Sequence, residues 1–333
     1  MVKGRLIIMK QISALTTIFC AESRQDHLYL ASNGLLIRDV ILDAGIGEEI
    51  MVGHLSDIHY NYCNQQDFDE EDPVLMSTLE HRHWLAGGAS VPKARRCLEF
   101  LDDADQIVIN GDTLDYLSYG AMELMQREIW DKYPGIIVTV GGHEFARKMQ
   151  GTVAETASRE ERVAIVEKFW PHDIYYTAKL LKNKILVIGL CNDLARFDEN
   201  QYQRLAEDIA LARKNSWVIL LFAHEPICTR NPAHKTVTAD DAIMVGDPSG
   251  FPNNYCDGGY AGGQNSDEAT MAFYRLITGN ADVIKGFFAG HLHSDLYLEI
   301  SAQLPDGTPT VIPQSIRTAT AYRDGHLMRI LVH

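Results

Sequence analysis

Five short clusters of acids and histidines each follow an apolar run: Asp57-Ile58-His59, Gly111-Asp112-Thr113-Leu114-Asp115, Gly141-Gly142-His143-Glu144, His224-Glu225-Pro226 and Gly290-His291-Leu292-His293. Carboxylate oxygens and imidazole nitrogens are suitable ligands for Mn, Fe, Zn or Ni ions. In an extended or tightly turned segment, residues i and i+2 can face the same way. Asp57 and His59 can therefore grip one ion together. His291 and His293 share that spacing and can face one ion or two. Two ions a few ångströms apart need a bridging anion, and Asp112 is the candidate. Such a pair can activate a water and clamp a phosphoryl group. Glycines before Asp112 and His291 let the backbone turn sharply where a strand ends. Taken singly, each cluster is weak evidence, since a lone His after a strand is usually structural. The five in this order are far more specific.

The elements that must position these clusters can be read from the apolar pattern. Glu49 to Leu55 is a strand running into Asp57. From residue 93 helix-like stretches alternate with short apolar strands. Lys93–Asp102 precedes Gln106–Asn110, Ala121–Trp130 precedes Ile136–Val140, and Arg159–Phe169 precedes Ile174–Tyr176. The strand Ile185–Leu190 follows. Tyr202–Lys214 then precedes Trp217–Phe222, and Glu268–Thr278 precedes Val283–Phe288. After residue 295 strands return without helices: Leu296–Ile300, Thr308–Ile312 and Leu327–Val332. This alternation predicts a layered α/β fold. In open α/β sheets ligands bind beyond the carboxyl ends of strands, so the clusters should converge on one edge. Residues 1–333 read as one domain with three additions. Residues 1–50 form an N-terminal β extension, with runs at Leu6-Ile7-Ile8, Leu28-Tyr29-Leu30 and Leu35-Leu36-Ile37. Residues 61–92 form an insertion or lid, and residues 226–267 form a long loop beside the site.

Composition narrows the class of partner. Of 333 residues 46% are hydrophobic, which excludes a disordered chain, and 30 basic against 45 acidic residues give a net charge of −15. So acidic a surface has no general attraction for nucleic acid or anionic membrane. A small phosphorylated or nucleotide-like substrate suits it better. The six cysteines are scattered with no CxxC pair, which reads as free thiols in a reducing, cytoplasmic compartment. Ile12–Ala21 reads as strand rather than a signal core, because Lys10 interrupts the run and Phe19-Cys20-Ala21 is a poor cleavage site. No apolar run approaches the ~20 residues of a membrane span.

The five blocks resemble the calcineurin-like metallophosphoesterase superfamily, whose pattern is D-x-H, GD-x-x-D, GN-H-(D/E), a lone H and GH-x-H. The resemblance implies a four-layer α/β/β/α sandwich of two mixed sheets flanked by helices. It implies a hydrolase with two divalent metal ions. By motif position Asp57, His59 and His293 would hold the first ion, Asp112 would bridge, and His224 and His291 would hold the second. A hydroxide between the ions would attack phosphorus in line. His143 would be the general acid for the leaving oxygen, with Asp115 orienting its ring. Tyr116 follows Asp115 where protein phosphatases carry Arg, which leans the expectation toward phosphodiesters over monoesters.

One position departs from the pattern. Gly142 stands where the family has an Asn that ligates the second metal, and a glycine has no side chain to do so. Three readings follow: a working enzyme with one tight and one loose metal, an impaired relative that binds metal and phosphorylated ligands, or a substitution made to trap a ligand. Glu144 reads as support for its turn, or else as a replacement ligand. Asn192 and Asp193 read as a loop cap, or else as lining the site, and the acidic run Asp67–Asp72 as a solvated face. Arg82, flanked by His81 and His83 and followed by Trp84, reads as part of a solvated or locally packed loop, or else as a phosphate contact. His234, Lys235, Asp247, Tyr255 and Asp257 lie in the long loop with no assigned role. Cys191 and Cys228 read as buried thiols.

Overall fold

The computed structural model describes residues 15–20, 26–31, 33–69, 82, 88–146, 158–193, 196–229, 236–238, 242–244 and 267–333. Sixteen strands and six α-helices occur among them. The strands are β1 (Leu15–Cys20), β2 (Asp26–Ala31), β3 (Leu36–Leu42), β4 (Ile50–Leu55), β5 (Gln106–Asn110), β6 (Ile137–Thr139), β7 (Tyr176–Leu181) and β8 (Ile185–Leu190). They continue with β9 (Val218–Ala223), β10 (Ile227–Thr229), β11 (Thr236–Val237), β12 (Ala242–Met244), β13 (Ile284–Ala289), β14 (Leu296–Gln303), β15 (Pro309–Ile316) and β16 (His326–Val332). The helices are α1 (Gln65–Asp69), α2 (Val91–Phe100), α3 (Tyr119–Met125), α4 (Arg159–Phe169), α5 (Glu199–Asn215) and α6 (Glu268–Thr278).

Two seven-stranded sheets form, in the orders β1-β2-β3-β16-β4-β5-β6 and β11-β14-β15-β13-β9-β8-β7. Both are mixed. In the first, β4, β5 and β6 run parallel while β16 is antiparallel to β4. In the second, β8, β9, β13 and β15 run parallel, with β7 antiparallel to β8 and β14 antiparallel to β15. Between the sheets lies a layer of Val40, Val52, Val108, Val187, Leu220, Phe222, Phe288 and Ile330. The outer face of the first sheet packs Ile107 and Ile109 against Leu98, Leu124 and Trp170 from the helical side. The outer face of the second packs Ile219 and Leu221 against Leu205, Ile209, Phe273 and Ile277. The result is the expected α/β/β/α sandwich. Both faces of the central strands are covered, so β8 and β9 are unbroken apolar runs rather than alternating ones.

Local signals set the helix ends. Asp198 and Gln201 form a reciprocal capping box that opens α5, and Ser158 and Glu161 do the same for α4. The helix expected over Ala121–Trp130 begins earlier, at Tyr119, and its last turn, Gln126–Trp130, is wound as π-helix. The N-terminal run divides into an antiparallel meander, β1-β2-β3, that joins the first sheet through β3 and β16; Leu6-Ile7-Ile8 lies outside the described residues. The segment 226–267 contains short strands that its lack of periodicity concealed. Here β10 pairs antiparallel with β12, and β11 adds to β14. Runs of two or three residues are too short for a period to show. No helix among the described residues is long and apolar enough to cross a membrane.

Candidate metal centre

The chemistry-bearing residues lie just beyond the carboxyl ends of five parallel strands. Asp57 and His59 follow β4, Asp112 and Asp115 follow β5, and His143 follows β6. His224 follows β9, and His291 and His293 follow β13. Asn110, the last residue of β5, ties these ends together. Its amide donates to the carbonyls of Ala223 (2.8 Å) and Phe288 (2.7 Å) in the other sheet, and its side-chain oxygen accepts from Thr139 (3.1 Å). Backbone bonds from Asp57 to Gly111 (3.2 Å) and from His59 to Asp112 (2.9 Å) stitch the first two loops.

The backbone at these positions is unusual. Asp57, His59, Asp112, His291 and His293 all have positive φ, between 48° and 68°. Such residues are a small minority in proteins, and each costs on the order of 1–3 kcal/mol. The loops thereby reverse direction at alternate residues and turn both members of each i, i+2 pair toward one centre.

Three sets of ligand atoms lie within 4.8 Å of one another: Asp57, His59 and His293; Asp112, His224 and His291; and His59, Asp112 and His143. His59 Nε2 and His293 Nε2 are 3.1 Å apart, and His293 Nε2 is 3.2 Å from Asp57 Oδ1. On the other side His224 Nε2 is 3.1 Å from Asp112 Oδ2 and 3.3 Å from His291 Nδ1. The far ring nitrogens are held by outer partners. His224 Nδ1 meets the Asn110 carbonyl at 2.7 Å, His59 Nδ1 meets Asp115 Oδ1 at 3.0 Å, and His293 Nδ1 meets the Tyr322 hydroxyl at 2.6 Å. Such partners orient metal-ligating imidazoles and fix their tautomers.

The electrostatics ask for a cation. Burial opposes charge on Asp57 and Asp112, but neighbouring histidines, His293 and His224 for the first and His224 and His143 for the second, hold both carboxyls below the usual range. Burial likewise opposes charge on His224, yet Asp112 and Asp57 outweigh it and hold the imidazole well above its ordinary value. Burial lowers His59 to about 4 and His291 to about 3, so both present neutral nitrogens. Two buried carboxylates, the neutral rings of His59 and His291, and a His224 ring whose proton a cation can replace form a donor set that fits divalent transition ions.

Other residues fall differently from expectation. The carboxylate of Asp115 does not orient His143; His143 Nδ1 instead bonds the Asp115 main-chain carbonyl at 2.5 Å. The carboxylate turns to His59 and is held by Asn61 Nδ2 (2.6 Å) and by Arg82, through Nη2 (2.5 Å) and Nε (3.2 Å). His59, Asn61 and Arg82 hold the carboxylate at hydrogen-bond distance, while His143 Nδ1 stays 3.7 Å from its Oδ1. Arg82, with 14% of its side chain exposed, is locally packed against the site through Asp115 rather than solvated. Glu144 supports its turn: its buried carboxylate accepts from the main-chain N–H groups of Gly141, Asp112, Thr113 and Leu114 at 2.6–3.0 Å. Asn192 bolts β8 to β9 through reciprocal bonds with Glu225 (2.7 and 3.0 Å), close to His224. Asp193 pairs with Arg159, and its Oδ1 lies 3.3 Å from where a side chain on Gly142 would start. Asp67 is buried, not solvated, and accepts from the N–H groups of Tyr119 and Gly120 (both 2.8 Å). Cys191 and Cys228 are buried thiols. His81, His83 and Trp84, and the long-loop residues His234, Lys235, Asp247, Tyr255 and Asp257, lie outside the described residues.

The family model for calcineurin-like phosphoesterases matches residues 50–295, well over half of the chain. The chain belongs to the calcineurin-like phosphoesterase family. No curated protein matches it significantly. Similar solved structures include a dimetal phosphatase from Danio rerio at 14% identity, covering 81% of this chain and 87% of that one with a TM-score of 0.37. An NAD nucleotidase from Haemophilus influenzae is 12% identical, with 81% of this chain matched and a TM-score of 0.37; the match spans 45% of that protein's length. The calcineurin-like phosphoesterase YfkN from Bacillus subtilis is 14% identical over 81% of each chain, with a TM-score of 0.36.

Proposed function

We propose that this family member hydrolyses phosphate esters at a dinuclear centre, with Asp57, His59 and His293 on one ion, His224 and His291 on the other, and Asp112 shared. The observation that carries this reading is the convergence of three ligand sets, two of which share Asp112, with the imidazoles of His59, His224 and His293 oriented through their second nitrogens. Divalent ions, when bound, supply Lewis-acid polarisation of phosphoryl oxygens and an activated water. The protein's own residues do the rest. His143 donates Nδ1–H to the Asp115 carbonyl, which leaves Nε2 to carry the proton for the leaving oxygen. Its side chain is 22% exposed and its Nε2 lies 3.9 Å from Asp112, so it borders both the centre and solvent.

Phosphodiesters are favoured over monoesters. A monoester dianion asks for more cationic charge than a diester monoanion. Tyr116 packs beside His143 with ring centroids 5.1 Å apart, where a guanidinium would serve a dianion, and the Arg82 charge is spent on Asp115. A small nucleotide-like substrate, Mn among the candidate ions and a cytoplasmic setting complete the proposal; the free thiols of Cys63, Cys97, Cys191 and Cys228 support the last. A second reading, a metal- and phospho-ligand-binding protein of impaired turnover, rests on Gly142 alone.

The test is hydrolysis of bis-p-nitrophenyl phosphate and p-nitrophenyl phosphate after EDTA treatment and Mn²⁺ titration. Activity should require metal, favour the diester and vanish in Asp112→Asn. His143→Asn should lower kcat by about 10²–10⁴-fold. Turnover that ignores EDTA, or that survives in Asp112→Asn, overturns the reading.

A further inference from the structure

A cavity of about 610 Å³ lies against the flank of His293, lined by Lys93, His293, Asp295, Tyr322, Arg323 and His326 among others. Its chemistry is unlike that of the chain as a whole. Lys93, on the first turn of α2, and Arg323, exposed at the tip of a turn, place two cations on its walls in a molecule of net charge −15. Lys93 Nζ is anchored by the Ala321 carbonyl at 2.5 Å. Arg323 makes no ion pair among the described residues. The one acid of the lining, Asp295, is already neutralised by Arg317, with Arg38 a further 3.8 Å away.

His326 supplies the second, independent observation. It is 5% exposed, and neither ring nitrogen has a hydrogen-bond partner. Burial and the Arg317 charge lower it to about 3, so the ring is neutral and offers one donor and one acceptor. His293 joins this cavity to the metal centre: its Nε2 faces Asp57 and its Nδ1 meets the Tyr322 hydroxyl.

We propose that this cavity is a subsite for a second anionic group on the substrate, so that the preferred substrates are small nucleotide-like phosphodiesters carrying a further phosphate or carboxylate. Lys93 and Arg323 pair with that group, and Tyr322 borders the part of the substrate that joins it to the scissile phosphorus, with His326 in the wall beside it. This rests on the phosphoesterase reading above.

The test compares the 5′-p-nitrophenyl ester of thymidine 5′-phosphate with the same ester carrying a 3′-phosphate, which differs by one anionic group. The 3′-phosphorylated ester should have the higher kcat/KM. Lys93→Met and Arg323→Gln should each cut that preference by about tenfold, the loss of one charge-assisted contact. A parent with no preference, or variants that keep it, overturns the subsite. Calorimetry on EDTA-treated protein separates failure of the subsite from failure of catalysis. Thymidine 3′,5′-bisphosphate should bind more tightly than thymidine 5′-phosphate, and each variant should weaken the bisphosphate by about tenfold. Arg323 is exposed and its replacement leaves the core intact, so it decides the matter if Lys93→Met fails to fold. Equal affinity for the two nucleotides, or equal affinity in parent and Arg323→Gln, overturns the proposal whether or not either ester is hydrolysed.

Discussion

Replacing Gly142 with Asn tests whether the second metal site is one ligand short. The backbone permits the change: φ is −65° and ψ is −31°, a region open to any residue. An added Cβ meets only Asp193 Oδ1, at 3.3 Å, so Asp193 must yield by a few tenths of an ångström. Gly142 caps the short 3₁₀ turn His143–Phe145. Removing a glycine from the unfolded chain contributes about 0.4–1 kcal/mol. Against the shift of Asp193, the net change in stability should stay within about 1 kcal/mol. The effect on metal is larger. Even outer partners of metal ligands change affinity by about 10–100-fold. An amide oxygen joining Asp112, His224 and His291 should therefore tighten the second ion by at least about tenfold, or 1.4 kcal/mol.

The assay is calorimetric titration of Mn²⁺ into EDTA-stripped parent and variant. The parent should show a tight and a weak step, and only the weak step should tighten in Gly142→Asn. A weak step unmoved in a variant that melts like the parent refutes the reasoning. Asp193 then becomes the residue to change. If its carboxylate serves the second site in place of the missing Asn, Asp193→Ala weakens the second step in the parent but not in the Asn variant. Turnover discriminates further: a parent inert at every Mn²⁺ level beside an active Asn variant makes Gly142 the cause of an impaired site.

Two other outcomes follow from the geometry. Arg82→Gln removes the two-pronged hold on Asp115, frees the carboxylate beneath His59 and should weaken the tight Mn²⁺ step by about 10–100-fold, with Arg82→Lys restoring only part because it lacks the planar fork; an unchanged tight step argues that Asn61 alone suffices. His54 is buried beside the rings of Phe222 and Phe288, at 5.6 and 6.4 Å, and burial, with Arg317 next, lowers it to about 3. Its unfolded form takes up a proton near pH 6.5 that the folded form refuses, so its contribution is present at neutral pH and lost as pH falls from 6.5 toward 3. His54→Phe should lessen the parent's loss of stability between pH 6.5 and 4 by on the order of 3 kcal/mol, measured by urea unfolding across that range, and parallel pH profiles would count against it.

The ligands were legible in the sequence because their chemistry is local. Asp57 and His59, or His291 and His293, declare themselves by type, by i, i+2 spacing and by the apolar strand before them. The layered fold was legible for a related reason: strands covered on both faces must be largely apolar, and β8 and β9 are so throughout while β5 is between Ile107 and Ile109. What stayed hidden depends on chain segments distant in sequence. Asp115 was assigned to His143, its motif partner, but the carboxylate follows the donors that pack around it, and Arg82 arrives from 33 residues away. Asn110 held a signal that went unused. Asparagine is depleted in strands, and one closing a buried parallel strand needs partners for both ends of its amide; here they are strand ends of both sheets.

That same contrast bears on how the site works. The positive-φ loops aim the ligands, and this aim is set within each motif. Their spacing across the two sheets is set elsewhere, by Asn110 joining β5 to β9 and β13, by Asn192 bolting β8 to β9, and by Glu144 gathering four N–H groups of two loops. None of these three need touch a metal or a substrate, yet each fixes a distance that a two-ion centre cannot vary. The side chain missing at Gly142 belongs to the first kind, a ligand rather than a spacer. On the proposed reading its loss would subtract one bond from the second ion and leave the positions of Asp112, His224 and His291 as they are, which is why a single substitution at that position should be enough to tighten the site.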